Sequence, residues 1–306
     1  MKWLNIFSRK KPEKKTPIAP GQHAQQEASA PVEQAVLTQA VADEPGLITA
    51  TQEPATATEH VDPAMQDNLL SGWFSAETGE LFTGFKISAE DSVLDIGCGA
   101  AGFTNFCASQ GAEIIFADIN PDVVAAAQET LKHSAARALT PLVTDANPIP
   151  LPDNRVNKVI AMEVLEHVED PAQFLRELVR VAQPGAQFLL TVPDPVGEKV
   201  QLDIAPPVYF EHPNHIRIIE REEFIKLVTD AGLVIEQQSS YGFYWSVWWF
   251  FFWACKQDLS PPWHPLLEQW TNTWNTLLAL PDGPRIKKAL DKSMPKSQVI
   301  IARKPL

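Results

Sequence analysis

The chain is poor in cysteine, in basic charge and in long uninterrupted apolar runs, and each shortage removes a class of protein. Its 306 residues hold three cysteines, namely Cys98, Cys107 and Cys255. They form no CxxC pair and no zinc spacing, so neither a disulfide framework nor a metal centre is expected, and a reducing cytoplasm fits. Lys and Arg number 25 against 38 Asp and Glu, for a formal net charge of −13. Phosphate backbones are held by Lys and Arg, so this balance argues against a nucleic acid partner. The longest apolar run, Phe243 to Cys255, falls short of the roughly 20 residues that cross a bilayer. No apolar run of leader length follows Met1, so a signal peptide is not expected.

What is present divides in two. Residues 1–62 are rich in Ala, Gln, Glu, Thr and Pro and nearly free of aromatics after Phe7. Such a composition buries too little apolar area to offset chain entropy, and a disordered tail is expected. The tail opens with Trp3, Leu4, Ile6 and Phe7, followed by Arg9, Lys10, Lys11, Lys14 and Lys15. That order suits a weak peripheral contact with the anionic inner face of a membrane, and equally a solvated basic tail. Residues 63–306 are expected to form one domain, because 45% of the chain is apolar, enough for a sizeable core.

From Asp91 onward apolar runs alternate with helical spacing. Strands are expected at 92–96, 112–117, 140–144, 157–162, 187–192, 233–238 and 297–303. Helices are expected at 102–110, 121–133, 171–182 and 221–231. Alternation of this kind implies a mostly parallel sheet with helices on both faces. Ligands then bind at the carboxyl ends of the strands. About fifty residues, 242–295, interrupt the pattern before the last strand. They hold Trp245, Trp248, Trp249, Trp253, Trp263, Trp270 and Trp274. The aromatic run at their start, read as a helix, is apolar nearly all round. It suits a buried or dimer-facing core, the wall of an apolar or sugar pocket, or a membrane-interface anchor.

Residues 93–103 read VLDIGCGAAGF. An apolar strand delivers an acid, then a turn whose Gly97 and Gly99 lack a Cβ and let the backbone approach a ligand. The following helix offers unpaired N–H groups. Asp118 closes the next strand, where a carboxylate can accept hydrogen bonds from both hydroxyls of a ribose. A nicotinamide dinucleotide and S-adenosylmethionine (SAM) both satisfy these features.

The run DIGCGAAGF resembles the first motif of class I SAM-dependent methyltransferases. An acid at Asp95 suits a sulfonium and an amino group and would repel a pyrophosphate. Residues 163–171, EVLEHVEDP, resemble the stretch after the fourth strand in the small-molecule branch of that family, which includes quinone and sugar methylases. The late strand SQVIIAR also fits, since the family inserts an antiparallel strand beside the sixth. The resemblance covers about residues 88–240 and 296–304. One departure is Ala101, where the family often has glycine.

The resemblance implies a Rossmann-like α/β fold with a seven-stranded, mostly parallel sheet and a Trp-rich insertion. It implies that Asp95, Gly97, Cys98, Gly99 and Glu163 surround the methionine end of SAM. Asp118 and Ile119 would then meet the ribose and adenine, and Asp145 with Ala146 the adenine edge. If the acceptor is a hydroxyl, a base removes its proton. His212 and His215 follow the fifth strand at the carboxyl edge of the sheet and are the candidates. The acceptor is expected to be a small molecule, a quinone or lipid-linked compound, or a glycan. A nucleic-acid amino methylase is not expected, because no Asn/Asp-Pro-Pro-aromatic motif stands at 162–165. Two other functions are weighed: a SAM-binding scaffold without turnover, and a nicotinamide oxidoreductase, against which Asp95 and the 163–171 stretch both argue.

Overall fold

The computed structural model describes residues 63–258 and 261–306. The tail expected at 1–62, with its membrane-contact residues, lies outside the described residues.

The chain enters through helix α1 (Pro63–Leu70) and three short antiparallel strands, β1 (Trp73–Ser75), β2 (Glu80–Phe82) and β3 (Phe85–Lys86). The main sheet follows in strands β4 (Ser92–Ile96), β5 (Glu113–Asp118), β6 (Ala138–Val143), β7 (Val156–Met162), β8 (Ala182–Pro193), β9 (Val234–Tyr241) and β10 (Ser297–Arg303). Between them run α2 (Gly102–Ser109), α3 (Pro121–Leu131), α4 (Pro171–Val181), α5 (Pro195–Ile204) and α6 (Arg221–Asp230). The insertion folds as α7 (Phe243–Ala254), α8 (Pro265–Leu278) and α9 (Gly283–Ser293).

The sheet order is β6-β5-β4-β7-β8-β10-β9. β4 pairs in parallel with both β5 and β7. β10 alone runs antiparallel, between β8 and β9. The chain therefore steps outward from β4 to β6, then crosses back to β7. The reversal leaves a crevice outside the carboxyl ends of β4 and β7.

Burial follows from this order. Every residue of β4 is buried, as a strand covered on both faces requires. One face carries Phe174, Leu175, Leu178 and Val181 of α4 with Phe224 and Val228 of α6. The other carries α2, α3 and the small N-terminal sheet, with Trp73, Leu81 and Phe85 packed on Val93, Ile114 and Phe116. Pro141 sits in β6, an edge strand, where a missing N–H costs no ladder bond.

Three helices start by one device. Asn120, Asp170 and Asp194 each precede a proline, and each side chain accepts a hydrogen bond from its helix's first turn. The caps satisfy orphan N–H groups and are each worth about 1 kcal/mol, while proline presets the first helical turn. All three leave the carboxyl edge of the sheet, so the same punctuation fixes the loops of the crevice.

The Trp-rich insertion packs mainly on the chain itself. Tyr244, Trp249, Phe252 and Trp253 of α7 are buried, as is Trp274 of α8. Three of its indoles find hydrogen-bond partners within the chain, while Trp249 Nε1 is buried without one. Trp253 Nε1 donates to Gln201 of α5 at 2.9 Å, Trp270 Nε1 to the Tyr244 carbonyl at 3.1 Å, and Trp274 Nε1 to Asp67 of α1 at 2.9 Å. Asp291 of α9 accepts from the Gly242 and Phe243 amides at 3.1 and 2.9 Å and so caps α7. Among the described residues no helix is long and apolar enough to cross a membrane.

Candidate functional site

The β4–α2 loop is held in place by its neighbours. The Gly97 and Cys98 amides donate to the Ala117 carbonyl of β5 at 2.7 and 2.9 Å. Gly97 and Gly99 both take positive φ, 73° and 49°, which a Cβ would oppose. Asp118, at the end of β5 and 2% exposed, accepts from the Asn120 amide at 3.0 Å and from the Gly99 amide at 3.4 Å. One carboxylate thus ties the glycine loop to the start of α3 and faces the crevice.

Asp95 stands behind the loop. It is fully buried and accepts a hydrogen bond from Thr104 in the first turn of α2. Its charge therefore acts on the crevice through the loop and the helix end. Cys98 is buried beside it among apolar neighbours. Trp73 and Phe74 dock the entry segment: Trp73 packs on Phe82, Phe103 and Tyr241, and Phe74 stacks on Phe103 at 5.2 Å.

The crevice holds a cavity of about 330 Å³, within the size range of small-molecule sites. Gly97, Asp118, Ile119, Asp145 and Ala146 line one end; His167, Glu169 and His212 line the other. Ile119 is 49% exposed on that wall, an apolar face in the open where an aromatic base can lie. Asp145 is exposed and accepts from the Asn147 amide at 3.0 Å. The cavity thus pairs one acid at a strand end with an apolar plate and a second acid, which fits a nucleoside such as that of SAM. A larger hollow, about 720 Å³, lies by α1, α6 and α9 and holds none of the predicted site residues.

Backbone strain concentrates at the same edge. Ala101, Ala146 and Glu163 all take positive φ, 64°, 62° and 53°. Non-glycine residues in this region cost of order 1–3 kcal/mol each and gather at functional sites. Ala101 takes a left-handed conformation that glycine adopts more readily, at the position where the resemblance leads one to expect glycine.

Beyond the cavity's histidine end lies a buried polar cluster. Glu163 pairs with Lys296 at 3.2 Å. His215 Nδ1 meets Glu198 Oε2 at 2.7 Å, and Tyr209 donates to Glu198 at 3.4 Å. The His167 and His215 rings meet edge to face, with centroids 4.9 Å apart. Burial, followed by the nearby His215, pushes the His167 imidazole down to about 3, so this ring is neutral. Burial and then the Glu163 carboxylate push Glu166 well above the usual carboxylate range. Burial opposes the Lys296 charge, yet Glu163, Glu198 and Glu166 together hold its ammonium above the ordinary value. His212 differs from His215: it is exposed at the cavity rim and pairs with Glu169 at 2.6 Å.

Of the residues expected at the site, Gly97, Asp118, Ile119, Asp145, Ala146 and His212 line this one cavity, whereas Asp95, Cys98, Gly99, Glu163 and His215 do not. The sequence reading missed Glu166, Glu198, Tyr209 and Lys296. Glu166 stood in plain view inside the 163–171 stretch. Glu198 and Lys296 sit far apart in sequence and meet only through the fold.

Residues 94–190 match the family model of a methyltransferase domain. That segment is similar to the methyltransferase domain of SAM-dependent methyltransferases, in line with the resemblance of the glycine loop and the 163–171 stretch. It is 39% identical over 105 residues to the chloroplastic tocopherol O-methyltransferase of Arabidopsis thaliana, covering 32% of this chain and 29% of that protein. It is 30% identical over 146 residues to a predicted SAM-dependent methyltransferase of Mycolicibacterium smegmatis, covering 47% and 52%. It is 35% identical over 101 residues to the norajmaline N-methyltransferase of Rauvolfia serpentina, covering 32% and 35%. The chain thus spans about half or less of the length of these relatives. A solved structure of a proposed sarcosine dimethylglycine methyltransferase from Galdieria sulphuraria shares the fold, with TM-score 0.52, 20% identity and coverage of 79% and 86%. The matched segment runs from within β4 into β8, and so includes the carboxyl ends of β4, β5, β6 and β7 that build the crevice.

Proposed function

We propose that this chain transfers a methyl group from SAM to a hydroxyl of a small-molecule acceptor, a class that takes in sugars and lipid-linked sugars. The observation that carries the reading is the single cavity joining Asp118, Ile119 and Asp145 to His167 and His212. When bound, SAM supplies a methyl group already activated on a sulfonium. The chain's task is then alignment and exclusion of water. Asp118 would accept from the ribose hydroxyls, Ile119 would lie on the adenine, and Asp145 with Ala146 would meet its edge. Asp95, Gly97, Cys98, Gly99 and Glu163 would form the methionine end. His212 and His215 are the candidates to take the acceptor's proton. His212 has solvent access for passing that proton on, and His215 has its orientation fixed by Glu198.

Support for an oxygen acceptor comes from relatives named as O-methyltransferases of tocopherol and of ubiquinone biosynthesis. The norajmaline N-methyltransferase keeps nitrogen acceptors in the comparison set. The test is methyl transfer from radiolabelled SAM to a panel of phenols, sugars and lipid-linked sugars. Labelled product dependent on Asp118 supports the reading. SAM binding with no transfer to any acceptor, nor in a lysate, favours a scaffold instead. We further propose that residues 63–306 act as one domain with the insertion part of its core. The indole bonds to α1 and α5 support this.

A further inference from the structure

Glu166 poses a problem that the proposed methyl transfer leaves unsolved. It is 1% exposed, and neither carboxylate oxygen accepts a hydrogen bond. A carboxylate in that setting needs a cation or a proton. The nearest ammonium, Lys296, is already paired with Glu163, whose own Oε1 is buried without a partner.

Two histidines face this carboxylate. Glu166, His167 and His215 each offer a ligand atom, and the three atoms lie within 4.8 Å of one another. The His167 Nε2 to Glu166 Oε1 distance is 3.7 Å. Ligand atoms about 2.1 Å from a shared ion sit roughly 3–3.5 Å apart, so small rotations would close the set.

The second nitrogen of each ring is already engaged. His167 Nδ1 lies 3.0 Å from the Pro213 carbonyl, and His215 Nδ1 lies 2.7 Å from Glu198. Metal-bound histidines are oriented in this way, through a carbonyl or carboxylate on the far nitrogen. The Pro213 contact leaves His167 Nε2 on the side of Glu166, and Glu198 fixes the His215 ring whose ligand atom lies in the same group. Glu163 and Glu198 add negative charge around it.

We propose that Glu166, His167 and His215 bind a divalent transition-metal cation, with Glu198 and the Pro213 carbonyl orienting the two rings. Two imidazoles and one carboxylate favour Zn²⁺ or Mn²⁺ over Mg²⁺ or Ca²⁺, which take oxygen ligands. Three protein ligands leave coordination positions open. His167 lines the cofactor cavity, so an open position can reach an acceptor oxygen there. A hydroxyl bound to the cation loses its proton more readily, and the proton leaves to water or to His212. His215 then acts as a ligand and His212 remains the base candidate. This last part rests on the proposed methyl transfer; the cation site itself does not.

The test is calorimetric titration of the full chain, freed of metal with chelator, with Zn²⁺ and with Mn²⁺, alongside the binding of S-adenosylhomocysteine to the same metal-free sample. The expected result is one equivalent of Zn²⁺ or Mn²⁺ bound at micromolar affinity or tighter. Glu166→Gln and His215→Ala should each weaken it at least tenfold, and Glu198→Gln by 10- to 100-fold. Circular dichroism confirms that each variant is folded, and Glu166→Gln keeps the side chain's shape. No saturable binding of either metal by the folded protein overturns the proposal, as does binding equally tight in Glu166→Gln and His215→Ala; Glu166 then holds a proton. S-adenosylhomocysteine binding without metal binding removes the cation site and leaves the methyl-transfer reading standing. The reverse pattern removes that reading and keeps the site.

Discussion

Asp118 carries more of the proposed cofactor contact than any other side chain of the crevice. It is buried, its oxygens already accept from the Asn120 and Gly99 amides, and its position on the loop is therefore fixed before a ligand arrives. Hydrogen bonds to a charged group contribute about 1.5–3 kcal/mol each. Asp118→Ala should weaken S-adenosylhomocysteine binding by roughly ten- to a hundredfold, read by calorimetry; unchanged affinity would remove Asp118 from the ribose. His212→Ala and His215→Ala should lower turnover while leaving that affinity within about twofold. Normal turnover in both would remove the two histidines from the chemistry. At this scale the sequence was legible where chemistry is local. Gly97 and Asp118 follow from a strand-turn-helix pattern and a spacing, Ile119 from the family resemblance, and all three line the cavity. Glu198 and Lys296 were not legible, because each gains its role only from a partner across the fold.

At the scale of elements, legibility tracked length and periodicity. The last strand was read residue for residue at 297–303, since a buried strand is a continuous apolar run. The fifth was read at 187–192, but β8 spans Ala182–Pro193. Its early part passes through Pro184 and Gly185, and the pairing with β7 shifts register there, which hides it from pattern reading. Helix α5 was missed although Asp194-Pro195 announces its start, because Val196, Val200, Leu202 and Ile204 remain exposed and blur its apolar face. The strands β1 to β3 are two or three residues long, too short for a period to show.

The join between α1 and the insertion makes its own prediction. Lys287 of α9 is buried between Asp67 of α1, at 3.3 Å, and Asp291, at 2.6 Å. One ammonium faces two carboxylates, and burial pushes Asp67 up from 3.8 to about 6. The folded state therefore holds a proton on Asp67 that the unfolded chain has released between those values. The resulting stability is fully present below about pH 4 and is lost as pH rises through about 6, at most about 3 kcal/mol. Asp67→Asn cannot titrate, so it should flatten the change in urea midpoint between pH 4 and 7. An unaltered pH dependence would show that Asp67 is ionised throughout.

On the scale of the whole molecule, the fold reads as one crevice with two ends. Crossing from β6 back to β7 opens it, and Asn- or Asp-Pro caps fix three of the helices that leave it, α3, α4 and α5. The nucleoside-like end belongs to β4, β5 and β6; the histidine end belongs to the β7 turn and the segment after α5. The insertion closes over the latter, with Trp253 packed on Tyr209, itself bonded to Glu198. Of the three roles weighed for the aromatic run, burial within the chain accounts for Tyr244, Trp249, Phe252 and Trp253.

The central claim is that this crevice binds SAM, and its most direct test is calorimetric titration of the full chain with S-adenosylhomocysteine, with NADH as the control ligand. One equivalent bound at micromolar affinity, about 8 kcal/mol, with no binding of NADH, is the predicted result. Failure of the folded protein to bind S-adenosylhomocysteine, or binding of NADH in its place, would contradict it.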